Sequence, residues 1–432
     1  MPRSLLTLVR RLPHGFWALA DQGAVSLGSF LAIVFLGREL HQTDYGLYTL
    51  IYAAMLFLNT IHGALVTYPL LVRGAGRSVE EFARLIGVSV NLALVLNLLL
   101  GSSLAMLLLA FDGAAVVPWA LAALFCAQMH ETMRRALMAR LRHARTIAGD
   151  AVAYLGFPAA LAALSWAGAL GVPAAFAAMA AAFTVGALVH RAQLTLRIAR
   201  PGETWRAAVE QWPVVRWVLI ANLVSMVGVQ LMPWILVIFH DLDAAATLRA
   251  LINPVALCHP IMFGIGNAIV PMVAQARTTE RTAEVARTSL RQGAPMILLL
   301  APYLAALLAF PYATLELFYG AGSVYVADAP ALKWAVIGYG FLLGTTLVEA
   351  ILKGLERTRD VFRAQLAGIA VTLAAGFPLA AWLGVEGATA GLMLSLAGQF
   401  LWSLRVIMTI FAADHLPIPN GLASTMRETQ IK

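Results

Sequence analysis

Charged residues are scarce in this sequence, at 12% of its 432 residues, whereas soluble domains carry roughly 25%. Hydrophobic residues make up 61%, and the mean hydropathy is +0.80. This composition excludes a water-soluble globular protein. Because a bilayer core of about 30 Å needs about 20 apolar residues for each crossing, the chain has room for about twelve crossings.

Other features of soluble enzymes and secreted proteins are also missing. The only cysteines, Cys126 and Cys258, lie within apolar runs, which predicts neither a disulfide nor a metal site. No Gly-Lys dipeptide occurs, which excludes a phosphate-binding P-loop and ATP hydrolysis in this chain. His130-Glu131 begins like a zinc-protease motif, but Arg134 stands where the second histidine is required. We therefore expect no enzyme active site, no metal and no cofactor.

Apolar stretches between polar breaks predict an all-α integral membrane protein with twelve transmembrane helices. The first stretch follows Arg3, Arg10 and Arg11 but lacks a cleavage site at a suitable distance, so we expect it to be retained as a helix. The predicted spans lie at 15–37, 45–72, 84–111, 114–134, 147–168, 172–196, 213–239, 247–275, 292–318, 331–353, 365–383 and 386–411.

Basic residues are distributed unevenly between the two sides that these spans define. All but Arg38, Arg249 and Lys333 of the 30 basic residues fall on the side that carries both termini. Because lysine and arginine accumulate in cytoplasmic loops, both termini are predicted to be cytoplasmic in a bacterial inner membrane. The net charge of +8 then reflects topology determinants beside anionic lipid head groups, and we expect no nucleic acid partner.

The two halves of the chain share features at nearly one offset. The recurring features are LGV at Leu170–Val172 and Leu383–Val385, Pro69 and Pro271, and Arg142 and Arg357. Since six helices are an even number, the pattern predicts two six-helix lobes in the same orientation, residues 1–205 and 206–432, related by a parallel repeat. Gly202–Trp212 is expected to be an amphipathic linker between them. Chance similarity between apolar segments is the alternative.

Polar residues within the predicted spans are candidates for a functional site. Helix two carries a polar stripe that begins at Tyr45, and helices one, seven and eight contribute further polar groups. The candidate residues of a shared aqueous cavity are Asp21, Tyr48, Tyr52, Asn59, His62, Asn222, Gln230, Arg249, Asn253 and Asn267. The alternative is that these groups only form hydrogen bonds between helices.

Three acidic residues within the spans need separate explanations. Asp21 has no adjacent basic residue, so it is either a carrier for a coupling proton or a hydrogen-bond acceptor near a helix end. Glu131 and Glu349 occupy matching places in helices four and ten. Salt bridges to Arg134, Arg135 or Lys353 are expected to account for both.

The connection between the first two helices carries a resemblance to a known family. Phe35–Tyr48, FLGRELHQTDYGLY, resembles the signature of the polysaccharide transporter family, the Wzx-like flippases of the MOP superfamily. The matching residues are Arg38, Leu40, Asp44, Tyr45, Gly46 and Tyr48, whereas His41 replaces the usual glycine. The twelve-helix layout and the two LGV segments extend the similarity over most of the chain.

The resemblance implies a V-shaped fold in which helices one, two, seven and eight line a central cavity. It also implies a substrate, an oligosaccharide linked to undecaprenyl diphosphate, which is turned to the periplasmic leaflet during O-antigen, capsule or exopolysaccharide synthesis. The implied partners are membrane lipids and the polysaccharide polymerase and glycosyltransferases of the same pathway. Arg38 and Arg249, at the tops of helices one and eight, are then candidates for an external gate or for a contact with the emerging diphosphate.

Three other functions remain open from the sequence. A cation-coupled multidrug antiporter of the same superfamily requires a carboxylate within the helices, for which Asp21 is the candidate. A membrane-embedded polysaccharide polymerase or ligase requires a catalytic external loop, and the longest one, 319–331, contains Asp328 as its only charged residue. A peptidoglycan-precursor flippase usually has more than twelve helices.

Overall fold

The computed structural model describes residues 14–74, 77–110, 113–140, 142–276 and 282–414. These residues form α-helices with short π-helical and 3₁₀ segments, and no strand occurs among them. The helices of the first half are α1 (His14–Glu39), α2 (Gln42–Gly74), α3 (Val79–Ala110), α4 (Val117–Met138), α5 (His143–Asp150 and Gly156–Trp166, joined by a π-helical turn) and α6 (Val172–Arg191). Those of the second half are α7 (Pro201–Phe239), α8 (Leu242–Ala256), α9 (His259–Ala276), α10 (Thr282–Leu298), α11 (Ala301–Ala309), α12 (Pro311–Tyr319), α13 (Ala329–Gly354), α14 (358–383) and α15 (385–414).

Every predicted span lies mainly on helix, but two predicted spans are interrupted. Span eight divides into α8 and α9 between Pro254 and Pro260, because proline cannot donate the backbone hydrogen bond that continues a helix. Span nine divides among α10, α11 and α12, and the last two meet at 95°. Within the described residues, and with α14 and α15 counted as one, six helices are long and apolar enough to cross a membrane, or seven if the bent α11–α12 pair is counted as one span. The count of twelve crossings stays a prediction.

The predicted linker is helical and continuous with α7. Pro201 lies in the first turn, where its missing N–H group is not needed, and the Glu203 carboxylate accepts a hydrogen bond from the backbone N–H of Arg200. Glu203 also pairs with Arg84 of α3, which holds the start of α7 against the first half. The boundary between residues 205 and 206 falls within this helix, and the division into lobes at that position stays a prediction.

The connections before α5 and before α14 have the same backbone conformation. Arg142 has φ −90° and ψ 46°, and Arg357 has φ −88° and ψ 45°. Their N–H groups donate to the carbonyl oxygens of Leu137 and Leu352 at 3.1 and 2.8 Å. Each following helix contains a π-helical turn. The arginines that recur in the sequence therefore occupy equivalent places in two similar structural units.

Helices α14 and α15 form an antiparallel pair that reverses at Gly384. This residue has φ +60° and ψ −132°, a conformation that favours glycine. The helices pack closely because Gly376 and Gly391 face each other: a Cβ added to Gly391 would lie 2.5 Å from Cα of Gly376. The Thr372 hydroxyl donates to Oγ of Ser395 at 2.8 Å.

The two halves meet tightly where α2 and α8 begin, a region that we call the closed end (residues 42–46 and 242–247). A Cβ added to Gly46 would lie only 2.0 Å from the carbonyl oxygen of Leu242. The Thr43 hydroxyl donates to Oδ1 of Asp243 at 2.8 Å. According to the predicted topology, the closed end faces the periplasm.

Candidate functional site

A cavity of about 730 Å³ lies between the two halves of the molecule. Its walls come from α1, α2, α7, α8, α9, α13, α14 and α15, and most of the residues that line it are apolar. The polar lining residues are Ser26, Ser29, Thr49, Tyr52, Arg249, Asn253, His259, Tyr339, Gln365, Ser395 and Gln399. The volume falls within the roughly 300–1,000 Å³ that is typical of small-molecule sites.

Arg249 gives the cavity its charge. It is the only arginine or lysine in the described lining, and no aspartate or glutamate occurs there. Its guanidinium carbon lies 5.8 Å from the ring centroid of Tyr52, an arrangement that permits a cation–π contact. Amides and hydroxyls supply the remaining polarity, so the cavity has the chemistry of a site for an anionic and hydroxyl-rich ligand.

A group of tyrosines connects the cavity residue Asn253 to the closed end. The side-chain amide nitrogen of Asn253 donates to the hydroxyls of Tyr45, at 3.0 Å, and of Tyr319, at 2.9 Å. Both rings also pack edge-on against Tyr325. Because Tyr45 belongs to the first half and Asn253 to the second, this group joins the halves by hydrogen bonds as well as by packing.

The predicted eighth span is interrupted beside the cavity, between α8 and α9. Leu257, His259 and Pro260, at the break between α8 and α9, all line it. Nε2 of His259 lies 3.3 Å from the hydroxyl of Tyr339. Interrupted membrane helices are tolerated where their free backbone groups face a cavity or other protein groups, and this break has that setting.

Three of the ten predicted cavity residues line the cavity, namely Tyr52, Arg249 and Asn253. Tyr48 is buried behind Tyr52, with which it stacks, and it also packs on Phe176 of α6. Polar groups of α2 and α8 therefore line the cavity, and their role in binding a substrate stays a prediction.

Asn59 and His62 lie on the side of α2 that contacts α4, away from the described cavity lining. Oδ1 of Asn59 accepts a hydrogen bond from Gln128 at 3.0 Å, and Nε2 of His62 lies 3.1 Å from the Thr132 hydroxyl. The prediction placed them in the cavity because their spacing continues the stripe of Tyr52. The structure instead favours hydrogen bonding between helices for both.

Asp21 is buried in the first half and does not belong to the described cavity lining. Its carboxylate accepts hydrogen bonds from Arg134 at 2.7 Å and from Thr146 at 2.8 Å. Arg134 also donates to Asp150 of α5 at 2.6 Å. The basic partner that the sequence around Asp21 lacks is supplied by α4.

The other predicted residues divide into two groups. Arg38 is exposed at the end of α1, and Asn222 is partly buried in α7 outside the cavity lining. The side chains of Gln230 and Asn267, and that of Pro271 from the repeat, lie outside the described residues. An external gate that contains both Arg38 and Arg249 stays a prediction, because only Arg249 lines the cavity.

The sequence analysis missed the polar groups that the second half places in the cavity. Gln365 of α14 and Ser395 and Gln399 of α15 line it. Gln399 donates to Oε1 of Glu349 at 2.9 Å, and Lys353 lies 3.3 Å from the other carboxylate oxygen. The sequence does contain an amide side chain in each of the last two predicted spans. A single amide in a span does not form a polar stripe, so neither was selected as a candidate.

Comparison with known proteins identifies the fold. No family model and no curated protein matches the sequence. Solved structures do match, among them the lipid II flippase MurJ in an inward closed conformation, with a TM-score of 0.70 and 10% identity over 93% of this chain and 94% of that one. The chain has the two-lobe fold of MOP-superfamily transporters.

Two further matches support this fold. An inward-facing multidrug resistance MATE transporter of the MOP superfamily matches with a TM-score of 0.66 and 14% identity over 93% of this chain and 96% of that one. The MATE multidrug transporter DinF-BH matches with a TM-score of 0.64 and 16% identity over 91% of this chain and 94% of that one. The predicted all-α membrane fold is therefore confirmed, whereas the Wzx-like family assignment stays a prediction.

Proposed function

We propose that this MOP-fold protein is a flippase that moves an oligosaccharide linked to undecaprenyl diphosphate across the bacterial inner membrane. The observation that carries the proposal is the charge of the cavity: Arg249 without a carboxylate among the described lining residues. A diphosphate is an anion, and the arginine guanidinium forms paired hydrogen bonds with phosphate oxygens. The glycan would serve O-antigen, capsule or exopolysaccharide synthesis, with the polymerase and glycosyltransferases of that pathway as partners.

The remaining lining suits the sugar part of this substrate. Amides such as Gln365 and Gln399 and hydroxyls such as Ser26 and Ser395 can exchange hydrogen bonds with sugar hydroxyls. Such contacts are required because unpaired polar groups in an apolar medium cost several kcal/mol each. The volume of about 730 Å³ is within the range of sites that bind small molecules. The polyprenyl chain can remain in the lipid.

A cation-coupled multidrug antiporter is the second candidate, because MATE transporters share the fold. A cationic drug would require a negative or neutral cavity, and Arg249 opposes it. Asp21, the carboxylate predicted for coupling, is already paired with Arg134 away from the described cavity lining. The charges therefore favour the flippase.

The test measures binding and transport of a fluorescent undecaprenyl-diphosphate oligosaccharide by Arg249 variants that have been reconstituted in vesicles. Loss of a hydrogen bond to a charged group costs about 1.5–3 kcal/mol, so Arg249→Ala should weaken substrate binding roughly 10- to 150-fold. Arg249→Lys should recover part of it, since lysine retains the charge but not the planar fork. Arg405→Ala is the matched control, because Arg405 is exposed on α15 and contacts Trp402.

Two results would contradict the proposal. One is wild-type transport of the lipid-linked oligosaccharide by correctly folded Arg249→Ala. The other is uptake of a cationic dye by wild-type protein that increases when Arg249 is removed, which would favour the antiporter.

A further inference from the structure

Three potential metal ligands meet inside the first half, apart from the cavity. They are His130 of α4, Asp150 of α5 and His190 of α6, and each side chain is fully buried. One ligand atom from each of them lies within 4.8 Å of the other two. The described lining of the cavity includes none of the three.

The distances between these atoms approach those of a tetrahedral zinc site. Nε2 of His130 lies 3.2 Å from Oδ1 of Asp150, and Nε2 of His190 lies 3.6 Å from the same oxygen. With metal–ligand bonds of about 2.0–2.1 Å, neighbouring ligands of a tetrahedral ion are about 3.3 Å apart. The two distances to Oδ1 of Asp150 are therefore close to the spacing of neighbouring ligands around a tetrahedral ion.

Two of these atoms have no hydrogen bond to any other group. Nε2 of His130 and Oδ1 of Asp150 are buried and face each other at 3.2 Å, but neither forms a well-oriented hydrogen bond among the described residues. Buried polar atoms are nearly always satisfied, and a metal ion bound to both atoms would satisfy them. The other oxygen of Asp150 accepts a hydrogen bond from Nε of Arg134 at 2.6 Å, which orients the carboxylate as an outer-shell partner would.

Charge also favours a cation at this position. The carboxylates of Asp21 and Asp150 share the single guanidinium of Arg134, which leaves one negative charge uncompensated if both histidines are neutral. An uncompensated charge is expensive in a buried site. Apolar rings enclose the group, since Phe183 and Tyr154 pack edge-on against His130.

Two glycines make room for the cluster. A Cβ added to Gly149 would lie 2.2 Å from Nε2 of His190, and a Cβ on Gly186 would lie 2.9 Å from Cδ2 of His130. Any larger residue at position 149 would push the His190 ring away from Asp150. The close approach of the three side chains thus depends on glycine at these positions.

We propose that His130, Asp150 and His190 bind a divalent transition metal ion of the zinc class. Two imidazole nitrogens and one carboxylate oxygen are a donor set that zinc accepts, whereas Mg²⁺ and Ca²⁺ prefer oxygen ligands alone. The fourth position is available to water or to the carbonyl oxygen of Thr146, which lies 2.9 Å from Nε2 of His190. The ion joins α4, α5 and α6 and, through Arg134 and Asp21, α1.

The test uses the full-length protein in detergent with Co²⁺ alone as the probe, after removal of metal by chelation. We expect one Co²⁺ to bind for each chain and to give a visible absorption band as intense as that of tetrahedral Co²⁺. Co²⁺ and Zn²⁺ should both raise the melting temperature, whereas Mg²⁺ should not. His190→Gln should weaken Co²⁺ binding at least 10-fold. Gly149→Ala should do the same without removal of a ligand.

His62→Gln is the matched control, because His62 is another buried histidine of the same half that lies outside the cluster. It should bind Co²⁺ as wild type does. If a variant does not fold, the wild-type titration and its reversal by chelator still decide the question. Folded wild-type protein without bound Co²⁺, without the absorption band and without a Zn²⁺-dependent melting shift would overturn the proposal.

Discussion

Replacement of Gly46 by alanine should open the closed end. The added Cβ would lie 2.0 Å from the carbonyl oxygen of Leu242. Ordinary C···O contacts are about 3.3 Å or longer, so the deficit is about 1.3 Å. Because both atoms belong to helix backbones, no side-chain rotation relieves the clash. The starts of α2 and α8 must move apart by a similar distance.

This displacement removes the hydrogen bonds that join the halves. They are Thr43 to Asp243 at 2.8 Å, Gln42 to Thr247 at 3.1 Å and Asn253 to Tyr45 at 3.0 Å. An increase of about 1.3 Å places all three beyond hydrogen-bond distance. At about 0.5–1.5 kcal/mol each, their loss destabilises the closed arrangement by about 1.5–4.5 kcal/mol, which is roughly a 10- to 2,000-fold change in its population.

The distance across the closed end can be measured by pulsed electron paramagnetic resonance. Spin labels at His41 and Val324, which are both exposed, report on the two halves after Cys126 and Cys258 have been replaced by serine and alanine. We expect a longer mean distance in Gly46→Ala than in the parent protein.

Gly156→Ala provides the matched control for this measurement. Gly156 is also helical, but no neighbouring atom lies within 4 Å of its added Cβ. It should leave the distance distribution unchanged. If Gly46→Ala, confirmed as folded and monodisperse, gives the parental distribution, the contact with Leu242 does not limit the separation of the halves.

Three other predictions concern topology, access and stability. Reporter fusions at Lys432 and in the loop at Gly322 should report opposite sides of the membrane, and the same side for both would contradict the predicted orientation. A cysteine at Leu56, which lines the cavity, should react with a hydrophilic thiol reagent faster than one at the buried His62, and equal rates would contradict the assigned face of α2. Arg134→Met should lower stability by about 3–5 kcal/mol, because it removes the guanidinium that pairs with both buried carboxylates, and an unchanged melting temperature would show that the network is not stabilising.

Sequence analysis could predict the features that depend on local pattern. Apolar length located the helices, and the recurrence of Arg142 and Arg357 located two connections with the same conformation. The predicted salt bridges of Glu131 with Arg135 and of Glu349 with Lys353 also occur, because residues four apart are neighbours on one helix.

The polar stripe on α2 shows where pattern stops being sufficient. Spacing gives the direction in which a side chain points, but the neighbour in that direction changes along a long helix. Tyr52 meets the cavity, whereas Asn59 and His62, further along the same helix, meet α4. Likewise, the partner of Asp21 lies 113 residues away in the sequence, so no local window contains it.

The surroundings of Glu131 and Glu349 show why a predicted repeat does not determine a site. Glu131 and Glu349 occupy matching places, but Glu131 contacts Arg134, which belongs to the buried network with Asp21. Glu349 instead accepts a hydrogen bond from Gln399, which lines the cavity. The predicted repeat therefore does not extend to these polar contacts. Glu131 therefore belongs to a network inside the first half, whereas Gln399 connects Glu349 to the cavity, a difference that the predicted repeat alone does not show.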